Sequence, residues 1–260
     1  MLHIHTIPAF VDNYFWLIQP DTQLADVYIV DPGAAQPVLD YIARYKLVLK
    51  GILLTHHHHD HIDGARELEA AFQIPIYGPN SQRIPQVTEH LYEGEQLQLG
   101  SLTAKILGLP GHTLDHIAYL IETPENPPLL FSGDTLFAVG CGRLFDGTAP
   151  LLYQALQKIA ALPDDTLIHG GHEYTLANIR FALTIEPENT DLRARQILET
   201  QKREQGMATL PTQLAQERRT NPFLRCHLNT VRTSVERLTK KTLTTDMDVF
   251  TSLRLLKDHF

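Results

Sequence analysis

Cysteine is scarce in this 260-residue sequence: Cys141 and Cys226 are the only two, and they lie far apart. A disulfide framework is excluded, and a reducing compartment, the cytoplasm, is the expected setting. No apolar run approaches the ~20 residues that a bilayer span needs, so no membrane association is expected. The opening segment MLHIHTIPAF has no basic start followed by an apolar stretch, so no secretory leader is expected. Internal repeats and low-complexity tracts are also missing. A hydrophobic content of 43% is enough for a packed core. Positive charge is in deficit, with 22 Lys+Arg against 30 Asp+Glu and a net charge of −8. A chain this acidic is a poor candidate for binding nucleic acid, and none is expected as a partner.

The charge is uneven. Residues 1–173 carry 8 basic and 20 acidic side chains, a net −12; residues 174–260 carry 14 and 10, a net +4. Such asymmetry suggests divided labour, with cations held in the first part and an anionic substrate drawn to the second. The first part reads as short strands mixed with helices. Strands are predicted over 14–19, 26–30, 51–55, 74–77, 103–109, 116–122 and 166–169, and helices over 35–46, 63–72 and 150–161. Beyond His172 strand signals fade. Helices are predicted over 174–185, 188–205, 212–219 and 231–240, with Thr212 as an N-cap. The division falls near 173, and the mixture is that of a layered α/β or α+β domain, rather than a simple doubly wound one, followed by a smaller helical one.

Histidine is abundant, at 14 residues, and five fall in the run Thr55-His56-His57-His58-His59-Asp60-His61. The run follows the apolar segment Gly51-Ile-Leu-Leu-Thr55. Polar side chains at the end of a buried strand are costly unless something satisfies them. Imidazole and carboxylate at this spacing suit a divalent ion. On an extended segment His56 and His58 point the same way, because side chains alternate. A purification tag or a flexible storage tract explains the run less well, since the run is internal and strand-flanked. His112, Asp134 and His172 each end a later apolar run beside glycine. Ligands of open α/β sheets gather at such strand ends. Each of the three alone reads as a turn, cap or loop residue; beside H-x-H-x-D-H they read as ligands.

The segment T-H-H-H-H-D-H-I-D-G, with downstream G-H-T, G-D-T and G-G-H-E-Y, resembles the metallo-β-lactamase superfamily. G-D-T-L-F-A-V-G-C-G-R (133–143), G-H-E-Y-T (171–175) and N-P-F-L-R (221–225) resemble its hydroxyacylglutathione hydrolases, the glyoxalase II family. The resemblance implies a four-layer αβ/βα sandwich over residues 1–173, as the metal-binding catalytic domain, and a helical substrate-binding domain over 174–260. It implies one metal held by His56, His58 and His112, and a second held by Asp60, His61 and His172. Asp134 would bridge them, and Asp60 and Asp134 would position a shared hydroxide. Zinc, iron and manganese all accept such donors. His57 and His59 are not implied.

The implied reaction is hydrolysis of an S-(2-hydroxyacyl)glutathione, such as S-D-lactoylglutathione, to glutathione and D-lactate, the last step of methylglyoxal detoxification. A water shared by two metals acidifies from a pKa of about 15.7 toward 7 and supplies the nucleophile. No G-x-S-x-G elbow is present to provide a serine instead. A thiol with a pKa of ~8.5 departs as thiolate with little acid help, so a thioester suits the site. Cys141 reads as a small buried residue in a tight loop rather than as a nucleophile. The resemblance places Arg143, Tyr174, Arg254 and Lys257 in glutathione contacts, with Arg254 and Lys257 on one face of a C-terminal helix. Arg143 stands where many relatives have Lys, and Phe145 where some have Tyr. The alternative on the same fold is an iron-dependent glutathione persulfide dioxygenase, disfavoured by the second ligand set and the long helical tail. A non-catalytic metal module is a further rival. The chain is expected to act as a monomer.

Overall fold

A computed structural model describes residues 1–260. The chain divides into two compact units, Met1–Gly108 with Asp115–Gly133, and Leu109–Leu114 with Asp134–Phe260.

The first unit begins with β1 (His3–Ala9), β2 (Asn13–Gln19) and β3 (Asp26–Val30), followed by α1 (Ala35–Tyr45) and β4 (Val48–Leu53). Next come α2 (His59–Ile62), α3 (Ala65–Phe72), β5 (Ile76–Pro79) and β6 (Glu89–Leu91). These six strands form one sheet in the order of the sequence. β1 to β3 pair antiparallel, with Ile7 opposite Phe15. β3 to β6 pair parallel, with Val30 opposite Leu53. Parallel pairs need a crossover, and α1 and α3 supply the first two. α1 turns Val38 and Ile42 inward, four residues apart, onto a core that includes Ile29, Leu49 and Ile52. β2 is buried at every position, as a strand covered on both faces must be. A meander follows: β7 (Gln96–Leu99), β8 (Leu102–Gly108), β9 (Ile117–Thr123) and β10 (Asn126–Gly133), with antiparallel neighbours throughout.

The predicted helix over 63–72 is α3, which starts at Ala65, and the short helix α2 precedes it. Gly64 separates them because its backbone lies against the 32–35 segment: its N–H donates to Pro32 O at 3.0 Å, and a Cβ there would strike Ala34. Only glycine permits that approach.

The second unit holds β11 (Leu136–Phe137), β12 (Gly140–Cys141), α4 (Ala149–Ala160), β13 (Leu167–Gly170), α5 (Thr175–Ile185) and α6 (Thr190–Glu204). It continues with β14 (Thr212–Gln213), α7 (Leu214–Thr220), a 3-10 turn (Pro222–Leu224), α8 (Asn229–Thr239) and α9 (Asp246–Asp258). Thr212 is not an N-cap. It lies in β14 opposite Ile168, and its hydroxyl bridges two buried charges, donating to Glu217 Oε1 at 2.7 Å and accepting from Arg195 Nη2 at 2.8 Å. α9 opens with a reciprocal capping box between Thr245 and Asp248. No helix is long and apolar enough to cross a membrane.

Candidate metal centre

In the first unit, β3 ends at Asp31, whose backbone is left-handed with φ 51°. Aspartate tolerates that conformation better than most residues. Its carboxylate organises the histidine run. Oδ1 accepts from the Thr55 N–H at 2.8 Å; Oδ2 accepts from the Thr55 hydroxyl at 2.6 Å and from His61 Nδ1 at 3.0 Å. The Thr55 oxygen, its proton given to Asp31, accepts in turn from His56 Nδ1 at 3.0 Å. These partners assign the proton to Nδ1 of both rings and make Nε2 of His56 and His61 acceptors. His56 Nε2 stands 3.0 Å from His58 Nδ1. His61 Nε2 stands 3.5 Å from Asp60 Oδ2, and Asn13 Nδ2 donates to that carboxylate oxygen at 2.9 Å. Asp31, His56 and His61 present donor atoms within 4.8 Å of one another. His57 and His59 turn to other carboxylates, Asp115 and Asp63, each at 3.0 Å.

The second unit repeats the pattern. His112 Nδ1 donates to Arg143 O at 2.7 Å, so its Nε2 is an acceptor. That Nε2 lies 3.3 Å from Asp134 Oδ2, and His172 Nε2 lies 3.4 Å from the same oxygen. Asp134 is therefore shared between two imidazoles, all three side chains being buried.

Imidazole acceptor nitrogens gathered around carboxylate oxygens are a donor set for a cation. Charge-assisted hydrogen bonds run about 2.7–2.9 Å, shorter than these contacts. Donors at about 2.0–2.1 Å from a tetrahedral ion are about 3.3 Å apart, close to the spacings seen. The donor set thus fits divalent metal on chemistry and on distance.

The remaining sequence-predicted residues lie in the second unit. Tyr174 stacks flat on His172, with ring centroids 4.7 Å apart, and meets Phe137 edge-on. Phe145 sets its ring edge against His112 at 5.1 Å. The Arg143 side chain is 66% exposed, with Nε 3.8 Å from Asp258. Arg254 is buried and turned inward: Nη1 donates to Cys141 O at 2.9 Å and Gly142 O at 3.3 Å, and Nη2 to Asp258 at 3.0 Å. Lys257 lies over the Phe181 and Phe260 rings at 5.2 and 5.3 Å. Burial, then the cations of Arg254 and Arg180, push its pKa down to about 8. Burial raises the Cys141 thiol to about 11, so it holds its proton at neutral pH.

Sequence reasoning missed Asp31, Thr55 and Asn13. The available signal was the Asp31-Pro-Gly33 turn closing a buried strand, where an unpaired carboxylate is costly.

Residues 10–172 match the family model of the metallo-beta-lactamase superfamily, and residues 173–260 that of the hydroxyacylglutathione hydrolase C-terminus. A hydroxyacylglutathione hydrolase of Hahella chejuensis is 44% identical over 260 residues, covering all of both chains. Among solved structures, ETHE1 from Myxococcus xanthus is 26% identical with a TM-score of 0.63, covering 85% of this chain and 83% of its own. TTHA1623, crystallised in a di-iron-bound form, is 27% identical with a TM-score of 0.53, covering 65% and 91%. The chain has the metallo-β-lactamase fold, in the α+β class with a helical C-terminal region. With matches to both family models in one unbroken sequence and a full-length relative at 44% identity, the protein belongs to the hydroxyacylglutathione hydrolase family of the metallo-β-lactamase superfamily.

Proposed function

We propose that the protein hydrolyses the thioester of an S-(2-hydroxyacyl)glutathione, such as S-D-lactoylglutathione, releasing glutathione and a 2-hydroxy acid. The observation that carries this is Asp134 Oδ2, held 3.3 and 3.4 Å from Nε2 of His112 and Nε2 of His172. A carboxylate oxygen between two imidazoles would be available as a donor to two ions. In this reading His56, His58 and His112 hold one, Asp60, His61 and His172 the other, and Asp134 serves both. Zinc is the proposed metal, with iron and manganese compatible with the same donors.

Divalent ions so held acidify water toward a pKa of about 7 and polarise a thioester carbonyl. The chain's own groups prepare that chemistry. Asp31 and the Arg143 carbonyl keep protons on the outer nitrogens of His61 and His112, so the inner ones stay available. Asn13 orients Asp60. Asp60 and Asp134 then orient the attacking water. Its oxygen bonds to the acyl carbon as one of its protons passes to solvent, the C–S bond breaks, and sulfur leaves with the electron pair as thiolate. A thiol pKa of ~8.5 makes a proton donor at sulfur unnecessary, in keeping with Cys141 holding its proton.

Residues 1–173 are assigned the metal chemistry and 174–260 the glutathione part of the substrate. Arg143 and Lys257 offer cations to its carboxylates, Tyr174 offers a ring edge and hydroxyl, and Arg254 contributes through the 141–142 carbonyls that it holds. The two buried, unpaired cysteines suit a reducing cytoplasm, and the chain works as a monomer in this reading. The full-length hydrolase relative favours this reaction over persulfide oxidation. Incubation of the metal-loaded protein with S-D-lactoylglutathione should release free thiol. Oxygen uptake with glutathione persulfide and no thiol release would reverse the assignment.

A further inference from the structure

The N-P-F-L-R segment plays no part in the chemistry above, yet Asn221 at its head is fully buried. Its Oδ1 accepts from Phe223 N at 3.1 Å and so starts the 3-10 turn. Its Nδ2 donates to Gly140 O and to Glu217 Oε2, both at 3.0 Å. The same Glu217 oxygen accepts from Val139 N at 2.8 Å. Asn178 Nδ2, from α5, donates to Ala138 O at 3.0 Å. Three side chains thus hold backbone atoms of three consecutive residues, 138 to 140. Glu217 is itself held at Oε1 by Arg195 and Thr212, each at 2.7 Å.

The gripped segment is the turn of the β11–β12 hairpin, in which Phe137 pairs with Gly140. Val139 has φ 59°, a left-handed conformation that turns of this kind assign to glycine or asparagine and that β-branched residues avoid. Its side chain is packed with Ile179, Ala182 and Leu192, which explains a valine there. A strained turn persists only where its surroundings over-determine it. Downstream, Gly142 N donates to Thr135 O at 3.2 Å, and a Cβ on Gly142 would strike the Asp134 carbonyl oxygen. The hairpin therefore closes tightly on itself and releases the chain at Arg143.

We infer that Asn178, Glu217 and Asn221 are positioning residues for substrate binding, holding the strained 138–140 turn so that Arg143 meets a carboxylate of the glutathione moiety. The inference rests on the proposed thioesterase reading and on Arg143 as a substrate contact. Loosening the turn lets Arg143 wander and weakens ground-state and transition-state binding alike, which raises KM at constant kcat. A merely structural role lowers the active fraction instead, so kcat falls at constant KM.

The test compares S-D-lactoylglutathione kinetics of the wild-type holoenzyme with Asn178→Ala, Arg143→Ala and the double variant, each checked by circular dichroism. Asn178→Ala removes one hydrogen bond to the turn; Asn178→Ser replaces it should the alanine variant fail to fold. Each single variant should raise KM roughly tenfold, the effect of one bond to a charged group, with kcat within about twofold. The double variant should be no worse than the weaker single, since both act on one contact. An unchanged KM in the Asn178 variant, a fall confined to kcat, or losses that multiply in the double would overturn the positioning role. A wild-type enzyme that releases no thiol would instead remove the thioesterase reading beneath it.

Discussion

The residues from His56 to His61 and those from Asp134 to Arg143 are held in different ways. The first set is steadied by close neighbours: Thr55 and Asp31 orient His56 and His61 through hydrogen bonds of 2.6 to 3.0 Å at the ends of two adjacent strands. The second set hangs on remote groups. Arg254 reaches the 141–142 carbonyls from 113 residues away in sequence, and Glu217 reaches Val139 from 78. A dense motif needs little scaffolding and can be recognised alone. A dispersed one needs a buried polar framework, and most of the helical region supplies it.

If both sets are equally necessary, removing the shared donor should have the largest effect. Asp134→Ala is expected to leave at most one ion per chain and to lower kcat/KM by about 10³-fold or more, because the bridging carboxylate serves both ions. Metal analysis beside a thiol-release assay reads both numbers, and two retained ions would break the symmetry between the sets. Next is Asp31→Ala, which frees the His61 tautomer. Losing such an outer partner typically costs 10–100-fold in metal affinity or activity. Competition with a chelating dye should show the loss, and unaltered competition would mean that the run orients itself without help.

The charge contrast between the two parts of the sequence is sharpened by Lys257. The basic excess of residues 174–260 predicted a general attraction for anions, but many of those cations are engaged internally. Arg195 pairs with Glu217, Arg225 with Glu186, Arg232 with Asp246 and Arg254 with Asp258. Lys257 faces aromatic rings instead, with a pKa pushed down to about 8 by burial and by the cations of Arg254 and Arg180, against an opposing pull from Asp258. The charged form binds carboxylate. KM should therefore be lowest below pH 8 and rise roughly tenfold as pH passes upward through 8. Lys257→Arg, which stays charged, should abolish the rise. A rise of equal size in that variant would assign the titration elsewhere. The smallest effect belongs to Phe145→Tyr, which restores the hydroxyl found in some relatives. It should lower KM by about fivefold if the hydroxyl reaches substrate, the effect of ~1 kcal/mol, with little change in thermal midpoint at an exposed position.

Much of this was legible in the sequence. The run 56–61 announced metal because five imidazoles behind an apolar strand have no cheaper explanation, and the downstream G-H-T, G-D-T and G-G-H-E-Y segments carried the family. Legibility failed where a residue's work lies far along the chain. Thr212 has the composition of a helix cap, and nothing local reveals that Arg195 and Glu217 claim its hydroxyl. α9 entered the reading only through the family tail that holds Arg254 and Lys257, and its start at the Thr245–Asp248 capping box was not marked, because its apolar positions are interleaved with charge. Val139 sits in a turn that its residue type argues against; only the buried partners of its N–H and side chain account for it.

The most direct test is the rate of S-D-lactoylglutathione hydrolysis as Zn(II) is added stepwise to chelator-stripped protein. The account expects the rate to climb and level off at two equivalents per chain. A plateau at one equivalent, or metal uptake with no thiol released, would contradict it.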